Sequence, residues 1–340
     1  MELREHTWGG RGRITLNDVA KEAGVSQSVA SVVLNGAQSG TRVSPERKLQ
    51  VLEVARRMGY RPNALAQSLI TGRTDRIGVY SGRSRLTSRN AFVAEILGGI
   101  FEAAADFRVN TVVHTSGRSH DELLSLVSNG ALDGLIVHAS EDDPIIPLLS
   151  ELRAPAVAVA DPIDGLPSVG VDDRKGGTLV AQHLASLGHK RVLLKQMVPL
   201  PKSGAMRMGA LREEAVRLGM EVIDRPEATA EESALDSEEI RLLTERPNRA
   251  TAIACWSDAT AEKICNTLWD HGISMPSEVA VTGFDGFIRD PARRYSLTTV
   301  HAPWFEVGNV AARLVMALVN GDSVPSLTTI PVEFIKGSTT

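Results

Sequence analysis

Residues 15–36 read TLNDVAKEAGVSQSVASVVLNG, and this stretch contains two short helical patterns separated by a glycine. Thr15 and Asp18 have the spacing of a capping box, in which two side chains cover free backbone amides of the first helical turn. Apolar residues then recur at helical spacing until Gly24, which supplies a turn. Ser26 follows as the cap of a second short helix, so the stretch predicts two helices joined by a tight turn.

A third helix is predicted to begin after Ser44, where a capping serine precedes Pro45, and to end near Gly59. Two short helices around a glycine turn, closed by a third, are typical of a helix-turn-helix domain. The second helix has side chains off its apolar stripe that are free to enter a DNA groove: Gln27, Ser28, Val29, Ser31 and Val32. The alternative on these residues alone is a structural three-helix bundle.

The charge distribution favours the DNA-reading alternative. Residues 1–74 contain eleven Lys and Arg residues against six Asp and Glu residues, a net charge of +5. Because the whole chain carries −4, the other 266 residues carry −9. A basic head on an acidic body indicates a polyanionic partner at one end only.

Length and composition set the broad class of protein. The chain has 340 residues, of which 43% are hydrophobic and 23% charged, as expected for a soluble globular protein of two or three domains. Residues 1–13 carry three arginines but no apolar core after them, so we expect no signal peptide. Cys255 and Cys265 are too few for a disulfide framework or a zinc site. We therefore expect a cytoplasmic, nucleoid-associated protein without a metal or cofactor.

Residues 63–72, NALAQSLITG, form a short amphipathic stretch after Pro62. Such a stretch is too short to be a stable isolated helix in water. A segment of this kind can be disordered when free and helical when docked on a partner. We therefore interpret it as a linker that orders on binding.

From Arg76 onward, short apolar strands alternate with helices. Predicted strands include 77–80, 111–114, 134–138, 156–160, 191–194, 251–255 and 279–282, and predicted helices include 91–107, 174–187, 205–218 and 259–271. This alternation predicts parallel, doubly wound sheets covered on both faces. The number of strands predicts two such lobes, with a ligand at the carboxyl ends of the strands between them.

Several segments closely resemble the lactose/galactose repressor (LacI/GalR) family, and the resemblance covers nearly the whole chain from residue 14. It is carried by residues 15–36, 43–46, 58–69, 186–191, 281–285 and 297–300. The family implies an all-α helix-turn-helix head followed by an α/β domain, similar to periplasmic binding proteins, of two doubly wound parallel-sheet lobes.

The resemblance suggests the following boundaries. They are an N-terminal extension (1–13), a helix-turn-helix domain (14–61), a hinge helix and linker (62–74) and an effector-binding and dimerisation domain (75–340). Within the last domain, lobe 1 is expected at about 75–161 and 286–320, and lobe 2 at about 162–285 and 321–340.

The family also implies DNA-contacting residues. Thr15, Ser26 and Asn35 match positions that touch the DNA backbone, and Gln27, Ser28 and Ser31 match the base-reading face of the second helix. Asn63 lies at the start of the hinge helix and is expected to contact DNA. Leu69 matches a leucine that wedges into the minor groove at the centre of a palindromic operator, which requires two hinges and hence a homodimer.

In the second domain the resemblance implies residues that bind a small-molecule effector. They are Asn90, Phe92, Arg207, Ser257, Asp285 and Trp304, and His138 is added because it ends a predicted strand near the presumed cleft. Arg207 matches an arginine that usually binds the effector, and Asp285 an aspartate that commonly accepts hydrogen bonds from sugar hydroxyls. Trp304 matches an aromatic that often packs on the ligand, with a core aromatic as the alternative. His138 is expected to bind ligand or to line the pocket.

Three features of the sequence affect these expectations, and the first two are departures from the family pattern. Val32 stands where many relatives carry an arginine, so it cannot grip guanine with two hydrogen bonds. Ser257-Asp258 replaces the usual Asn-Asp pair, which puts a standard hexose pose in doubt. The loop after the first strand carries Arg83, Arg85 and Arg89, which either bias the pocket towards an anionic ligand or point into solvent. Asp258 and Asp285 oppose the anionic alternative.

Other classes of function fit less well. An enzyme is disfavoured because the sequence has no glycine-rich phosphate loop after the first strand, no zinc-spaced His/Cys set and no nucleophile elbow. A stand-alone small-molecule carrier is disfavoured by the attached head. We therefore expect a DNA-binding transcriptional regulator, a repressor that a sugar or sugar derivative controls, with an activator or a small-molecule-binding protein as the alternative and no membrane partner.

Overall fold

The computed structural model describes residues 14–36, 42–82, 90–115, 119–227, 235–245, 247–287 and 295–340. Within them, the chain divides into two compact units. The first comprises residues 1–76 with 131–133, and the second residues 77–130 with 134–340. Across the described residues, no helix is both long and apolar enough to cross a membrane.

The first unit is all-helical, as predicted. Its helices are α1 (Leu16–Glu22), α2 (Gln27–Asn35), α3 (Pro45–Met58) and α4 (Ala64–Thr71). The first three enclose a small core that includes Val19, Ala30 and Val51. Gly24 turns the chain between α1 and α2 with a φ of +63°.

Side chains at the helix starts explain why these short helices form. Thr15 and Asp18 make both halves of a capping box at α1. Ser26 accepts a hydrogen bond from the Val29 amide (3.3 Å), and Ser44 does the same for the Arg47 amide (3.3 Å). Each cap satisfies an amide that would otherwise lack a partner at the start of its helix.

The second unit contains a six-stranded sheet, with strand order β11-β5-β4-β3-β1-β2. Its strands are β1 (Arg76–Ser81), β2 (Asn110–Thr115), β3 (Gly134–His138), β4 (Ala156–Val159), β5 (Ser168–Val171) and β11 (Leu327–Ile330). The pairs β1–β3, β3–β4, β4–β5 and β5–β11 are parallel. We call this sheet, with its helices α5 (Ala91–Phe107), α6 (His120–Ser128) and α11 (Trp304–Val319), the first lobe.

A second, four-stranded sheet has the order β7-β6-β8-β9, and all its pairs are parallel. Its strands are β6 (Arg191–Met197), β7 (Glu221–Glu227), β8 (Ala252–Cys255) and β9 (Ala280–Thr282). The helices α7 (Asp173–Ser186), α8 (Lys202–Arg217), α9 (Ser237–Thr244) and α10 (Asp258–Asp270) belong with it, as does an antiparallel pair of β10 (Thr299–His301) and β12 (Glu333–Ile335). We call this set the second lobe. The two parallel sheets confirm the predicted fold class.

The lobe boundary differs from the expected one. Strands β5 and β11, which the sequence placed in lobe 2, hydrogen-bond in the first sheet. Ala158 on β4 pairs with Ser168, and Ser168 pairs with Leu327, so the chain passes to the second lobe only after residue 171. The antiparallel pair β10–β12 was also not predicted. These strands are short and partly polar, and they lack the continuous apolar run that marks a buried strand.

Candidate functional site

The first turn of α2 presents polar side chains on the surface of the first unit. Ser26, Gln27 and Ser28 are exposed, whereas Ala30 on the opposite side is buried in the core. Ser31, one turn further along, is half-buried. Thr15 is likewise exposed at the start of α1. Exposed hydroxyls at two helix N-termini are well suited to meet phosphate groups.

Asn35 lies differently from the other predicted DNA-contacting residues. Its side chain is only 7% exposed, and its amide nitrogen donates to Ser31 Oγ at 3.4 Å. The amide is therefore turned towards its own helix, one residue before Gly36 ends α2. Its predicted contact with the DNA backbone stays a prediction.

Helix α4 carries the predicted hinge residues. Leu69 is 88% exposed, and Asn63 is exposed at the residue before the helix, where its carbonyl accepts the Gln67 amide (2.9 Å). An almost fully exposed leucine on a two-turn helix gains nothing from the core of its own unit. Exposed apolar side chains of this kind are a common feature of interaction surfaces.

In the second unit, three predicted effector residues form an aromatic group. The Phe92 ring at the start of α5 lies 5.3 Å from the His138 ring at the end of β3. It meets the Trp304 ring, at the start of α11, edge-on at 4.8 Å. Such tilted and edge-on arrangements are favourable for aromatic pairs. His138 and Trp304 are both buried, so these rings form a packed wall.

Asp285 adjoins this wall, and its carboxyl is strongly perturbed. Trp304 Nε1 donates to Asp285 Oδ1 at 3.2 Å. Burial raises the pKa of Asp285 to about 8, the Arg207 charge opposes this rise, and the Asp258 charge adds to it. Asp285 also has a φ of +124°, a region that residues other than glycine rarely occupy. A protonated, strained carboxyl is typical of a functional position.

Asp258, the neighbour of Asp285, is fully engaged within the protein. Its Oδ1 accepts from Thr299 Oγ1 at 2.6 Å, and its Oδ2 accepts from the Gly286 amide at 2.9 Å. Ser257, immediately before it, caps α10 by accepting the Thr260 amide at 3.3 Å and is buried. The Asp258 amide also donates to the Phe284 carbonyl at 2.6 Å, so Asp258 holds the backbone on both sides of Asp285.

Arg207 on α8 is buried and makes all of its recorded contacts within the second lobe. Its Nε and one Nη donate to Asp173 Oδ1 at 3.0 and 2.7 Å, and the other Nη donates to the Trp256 carbonyl. Its guanidinium carbon lies 3.3 Å from the centre of the Phe284 ring. Burial raises the pKa of Asp173, and the charge of Arg207 opposes that rise.

A polar contact joins the two lobes beside this group. Asp161, which follows β4 of the first lobe, accepts from the amide and hydroxyl of Ser203 on α8 at 3.0 and 2.7 Å. His138 Nε2 lies 3.7 Å from the other oxygen of Asp161. Burial raises the pKa of Asp161, but His138 and Ser203 together outweigh burial and hold that pKa below its ordinary value.

The structure thus brings together five of the seven predicted effector residues, four through direct contacts and Arg207 through its packing on Phe284, the residue before Asp285. We call them the cleft cluster: Phe92, His138, Arg207, Asp285 and Trp304. Ser257 lies beside it through Asp258. Asn90 caps α5, two residues before Phe92, by accepting the Val93 amide at 3.4 Å. The arginines at 83, 85 and 89 lie outside the described residues.

Sequence reasoning missed four residues that surround Arg207 or join the lobes: Asp161, Asp173, Trp256 and Phe284. For two of them, Asp161 and Asp173, the position next to a predicted strand or helix could have indicated a role at the site. Asp161 directly follows a predicted strand, and Asp173 immediately precedes a predicted helix, and both positions face a ligand site in doubly wound sheets.

Comparisons with known proteins match both units. Residues 15–63 match the model of bacterial regulatory proteins of the lacI family, and residues 181–340 match that of the periplasmic binding protein-like domain. Catabolite control protein A of Priestia megaterium is 29% identical over 322 residues, which cover 92% of this chain and 95% of that protein. The match over residues 15–63 is to regulatory proteins, which agrees with the expectation from the sequence that the chain is a regulator and that an enzyme is disfavoured.

Two solved structures share the fold. One is the lac repressor dimer bound to operator and the anti-inducer ONPF, with a TM-score of 0.79 and 24% identity over 96% of this chain and 99% of that chain. The other is a complex of the transcriptional regulator CelR with cellobiose, with a TM-score of 0.69 and 24% identity over 96% of this chain and 100% of that chain. These likenesses confirm the architecture of head and two-lobed domain.

Proposed function

Because the chain belongs to the lacI family of bacterial regulatory proteins, we propose that it is a homodimeric repressor that binds a palindromic operator and responds to a sugar or sugar derivative. The observation that carries the proposal is the exposed first turn of α2, with Ser26, Gln27 and Ser28 in front of a packed three-helix core. A polar turn held rigid in this way is suited to the major groove.

The proposed DNA contacts divide into two kinds. Thr15 and Ser26, with Asn35 if its side chain turns outward, position the head on phosphate groups. Gln27, Ser28 and Ser31 read base edges, since a glutamine can hold adenine with two hydrogen bonds. Val32 favours contact with a thymine methyl group over a guanine, so the operator should lack the guanine contact usual in the family.

The proposed hinge acts at the minor groove. Leu69 is suited to wedge between base pairs at the operator centre, with Asn63 at the start of the same helix. The domain limits proposed for this arrangement are those expected from the sequence, with residues 62–74 as the hinge after a head at 14–61. Residues 1–13 form an extension, and the domain from residue 75 binds effector and dimerises. The palindrome follows from the two-fold symmetry of such a dimer.

The proposed effector site is the cleft cluster, with Asn90 and Ser257 beside it. A ligand ring would pack on Trp304 and Phe92. Asp285 would donate a hydrogen bond to the ligand when its carboxyl is protonated and accept one when it is ionised. The cellobiose-bound relative supports a sugar as the class of ligand. A ligand between the lobes changes DNA affinity only if it favours one lobe arrangement over another, and the Asp161–Ser203 contact is one that such a change would alter.

Selection of DNA from a random pool tests the proposal. The full-length protein should select a short palindrome, and its affinity should fall steeply with salt because of the phosphate contacts. A fluorescence-anisotropy titration of the selected site should give a stoichiometry of two chains per palindrome. Selection of no site, or of a site without two-fold symmetry, would exclude a dimeric repressor of this kind.

A further inference from the structure

The guanidinium of Arg207 already forms an ion pair within the protein, with the carboxylate of Asp173. Two of its nitrogens donate to Asp173 Oδ1, a third donates to the Trp256 carbonyl, and Phe284 covers one face. The side chains of Arg207 and Asp173 are 5% and 4% exposed. This pair is therefore a buried ion pair, in which solvent screens the attraction little.

The other ionisable groups recorded as acting on the Arg207–Asp173 pair or on Asp285 are carboxyls. Arg207 and Asp258 both interact electrostatically with Asp285, whose raised pKa favours its neutral form, and Asp161 and Asp172 interact with Asp173. Of the basic side chains in the described part of the second lobe, Lys195 is buried in a pair with Glu239 at 2.7 Å, so it is not available to a ligand in the cleft. Lys195 therefore adds no free positive charge to the described surroundings of Arg207.

We infer that Asp173 is a specificity-determining residue, which neutralises Arg207 so that the cleft takes an uncharged, hydroxyl-bearing effector and rejects carboxylate or phosphate ligands. The inference rests on the proposed effector site. An anion at Arg207 would have to compete with the Asp173 carboxylate, which is held in place because Asp173 is the first residue of α7. If both stayed, two negative charges would share one buried cation, which is unfavourable in a medium of low dielectric constant.

Removing the charge of Asp173 should reverse this selectivity. Asp173→Asn keeps the size of the side chain and leaves Arg207 without its counter-charge, and a guanidinium binds the forked oxygens of carboxylate and sulfate well. Glu213→Gln is the matched control. Glu213 forms the other recorded arginine pair between α7 and α8, with Arg174 at 2.7 Å, but both side chains are more than half exposed.

The experiment is calorimetry at constant ionic strength, with inorganic sulfate and with two matched pairs, glucose with glucuronate and galactose with galacturonate. We expect Asp173→Asn to bind sulfate at least tenfold more tightly than the wild type and the control do. The double variant Asp173→Asn/Arg207→Met should lose that gain. Circular dichroism checks that each variant is folded. If Asp173→Asn does not fold, Asp173→Ser replaces it as the variant that lacks the Asp173 charge.

Two outcomes overturn the inference. One is equal sulfate affinity in the wild type and in the folded Asp173 variant. The other needs no variant: it is a wild type that binds either sugar acid more tightly than the matching neutral sugar. A wild type that binds both acids more weakly than the neutral sugars, or not detectably, supports the inference. Selection of palindromic DNA by the wild type is scored separately, so failure of the proposed function is distinguished from failure of this assignment.

Discussion

The indole Nε1 of Trp304 donates a hydrogen bond to Oδ1 of Asp285 at 3.2 Å. This bond joins the first helix residue of α11, in the first lobe, to the loop after β9, in the second lobe. The indole edge also contacts Phe92 of the first lobe. A ligand that competes for the Asp285 carboxyl would therefore disturb a contact between the lobes.

Asp285 should make stability depend on pH in a defined direction. Its folded pKa of about 8 lies above the ordinary value of 3.8. Between these two values the folded state keeps a proton that the unfolded state has lost. The stabilising contribution is complete below pH 3.8 and is lost as the pH rises to 8, by at most about 1.4 kcal/mol per pH unit.

Asp285→Asn removes that dependence. Urea unfolding at pH 5, 6, 7 and 8 should show the free energy of unfolding of the wild type falling relative to that of the variant as the pH rises. Taking the difference between the two proteins cancels the titration of all other groups. A constant difference across this range would show that Asp285 does not hold a proton in the folded state.

The caps of the first unit give a prediction that separates folding from DNA reading. Ser26→Ala removes the acceptor of the Val29 amide and should destabilise α2 by about 1 kcal/mol. Hydrogen exchange of the α2 amides should then be roughly fivefold faster, since 1.4 kcal/mol corresponds to a factor of ten. Gln27→Ala, one residue along and exposed, should leave exchange unchanged and lower the preference for the selected DNA site. Faster exchange in both variants would contradict this division of roles.

Much of this arrangement could be predicted because its signals are local. Strand β3 was predicted to the residue, since all five of its residues are buried and its sequence, GLIVH, ends in a polar residue at the cleft. The capped helices of the head were likewise predicted, because cap and helix are a few residues apart. Helix α5 was predicted over its full length for the same reason.

The parts that escaped prediction depend on contacts between distant residues. Arg207 and Asp173 are 34 residues apart, and although Asp173 stands at a predicted helix start, no local pattern showed that Arg207 is its partner. Strand β11 pairs with β5 across more than 150 residues and is mostly exposed, so its sequence, LTTI, has no buried alternation. The resemblance predicted Arg207 and Asp285 as ligand residues, but it did not predict which charges surround them.

Leu69 allows a prediction about the hinge. Because its side chain is 88% exposed, Leu69→Ala should change the free energy of unfolding by less than about 0.5 kcal/mol. Its effect should be on DNA, with at least a tenfold loss of affinity for the selected palindrome and a loss of bending in a gel-shift or energy-transfer assay. Leu49→Ala is the matched control, since Leu49 is an exposed leucine on α3 (68%). Equal losses in both variants would indicate a general effect on the head.

The contact between Asp161 and Ser203 leads to a prediction about coupling. Asp161 Oδ1 accepts two hydrogen bonds from the start of α8, and Arg207 lies one turn further along that helix. Asp161→Asn weakens the acceptor and removes the charge beside His138, so this contact between the lobes should be weaker. By linkage, the factor by which effector changes DNA affinity equals the factor by which DNA changes effector affinity.

The measurement is titration with the sugar identified by calorimetry, with and without the selected operator, in the wild type and in the variant. We expect the two factors to agree in each protein and both to be smaller in Asp161→Asn. Glu141→Gln is the control, because Glu141 pairs with the neighbouring Lys202 but is largely exposed. If the factor is unchanged in Asp161→Asn, the contact between the lobes does not transmit the effector signal; if effector affinity is the same with and without operator in the wild type, the two units are not coupled at all.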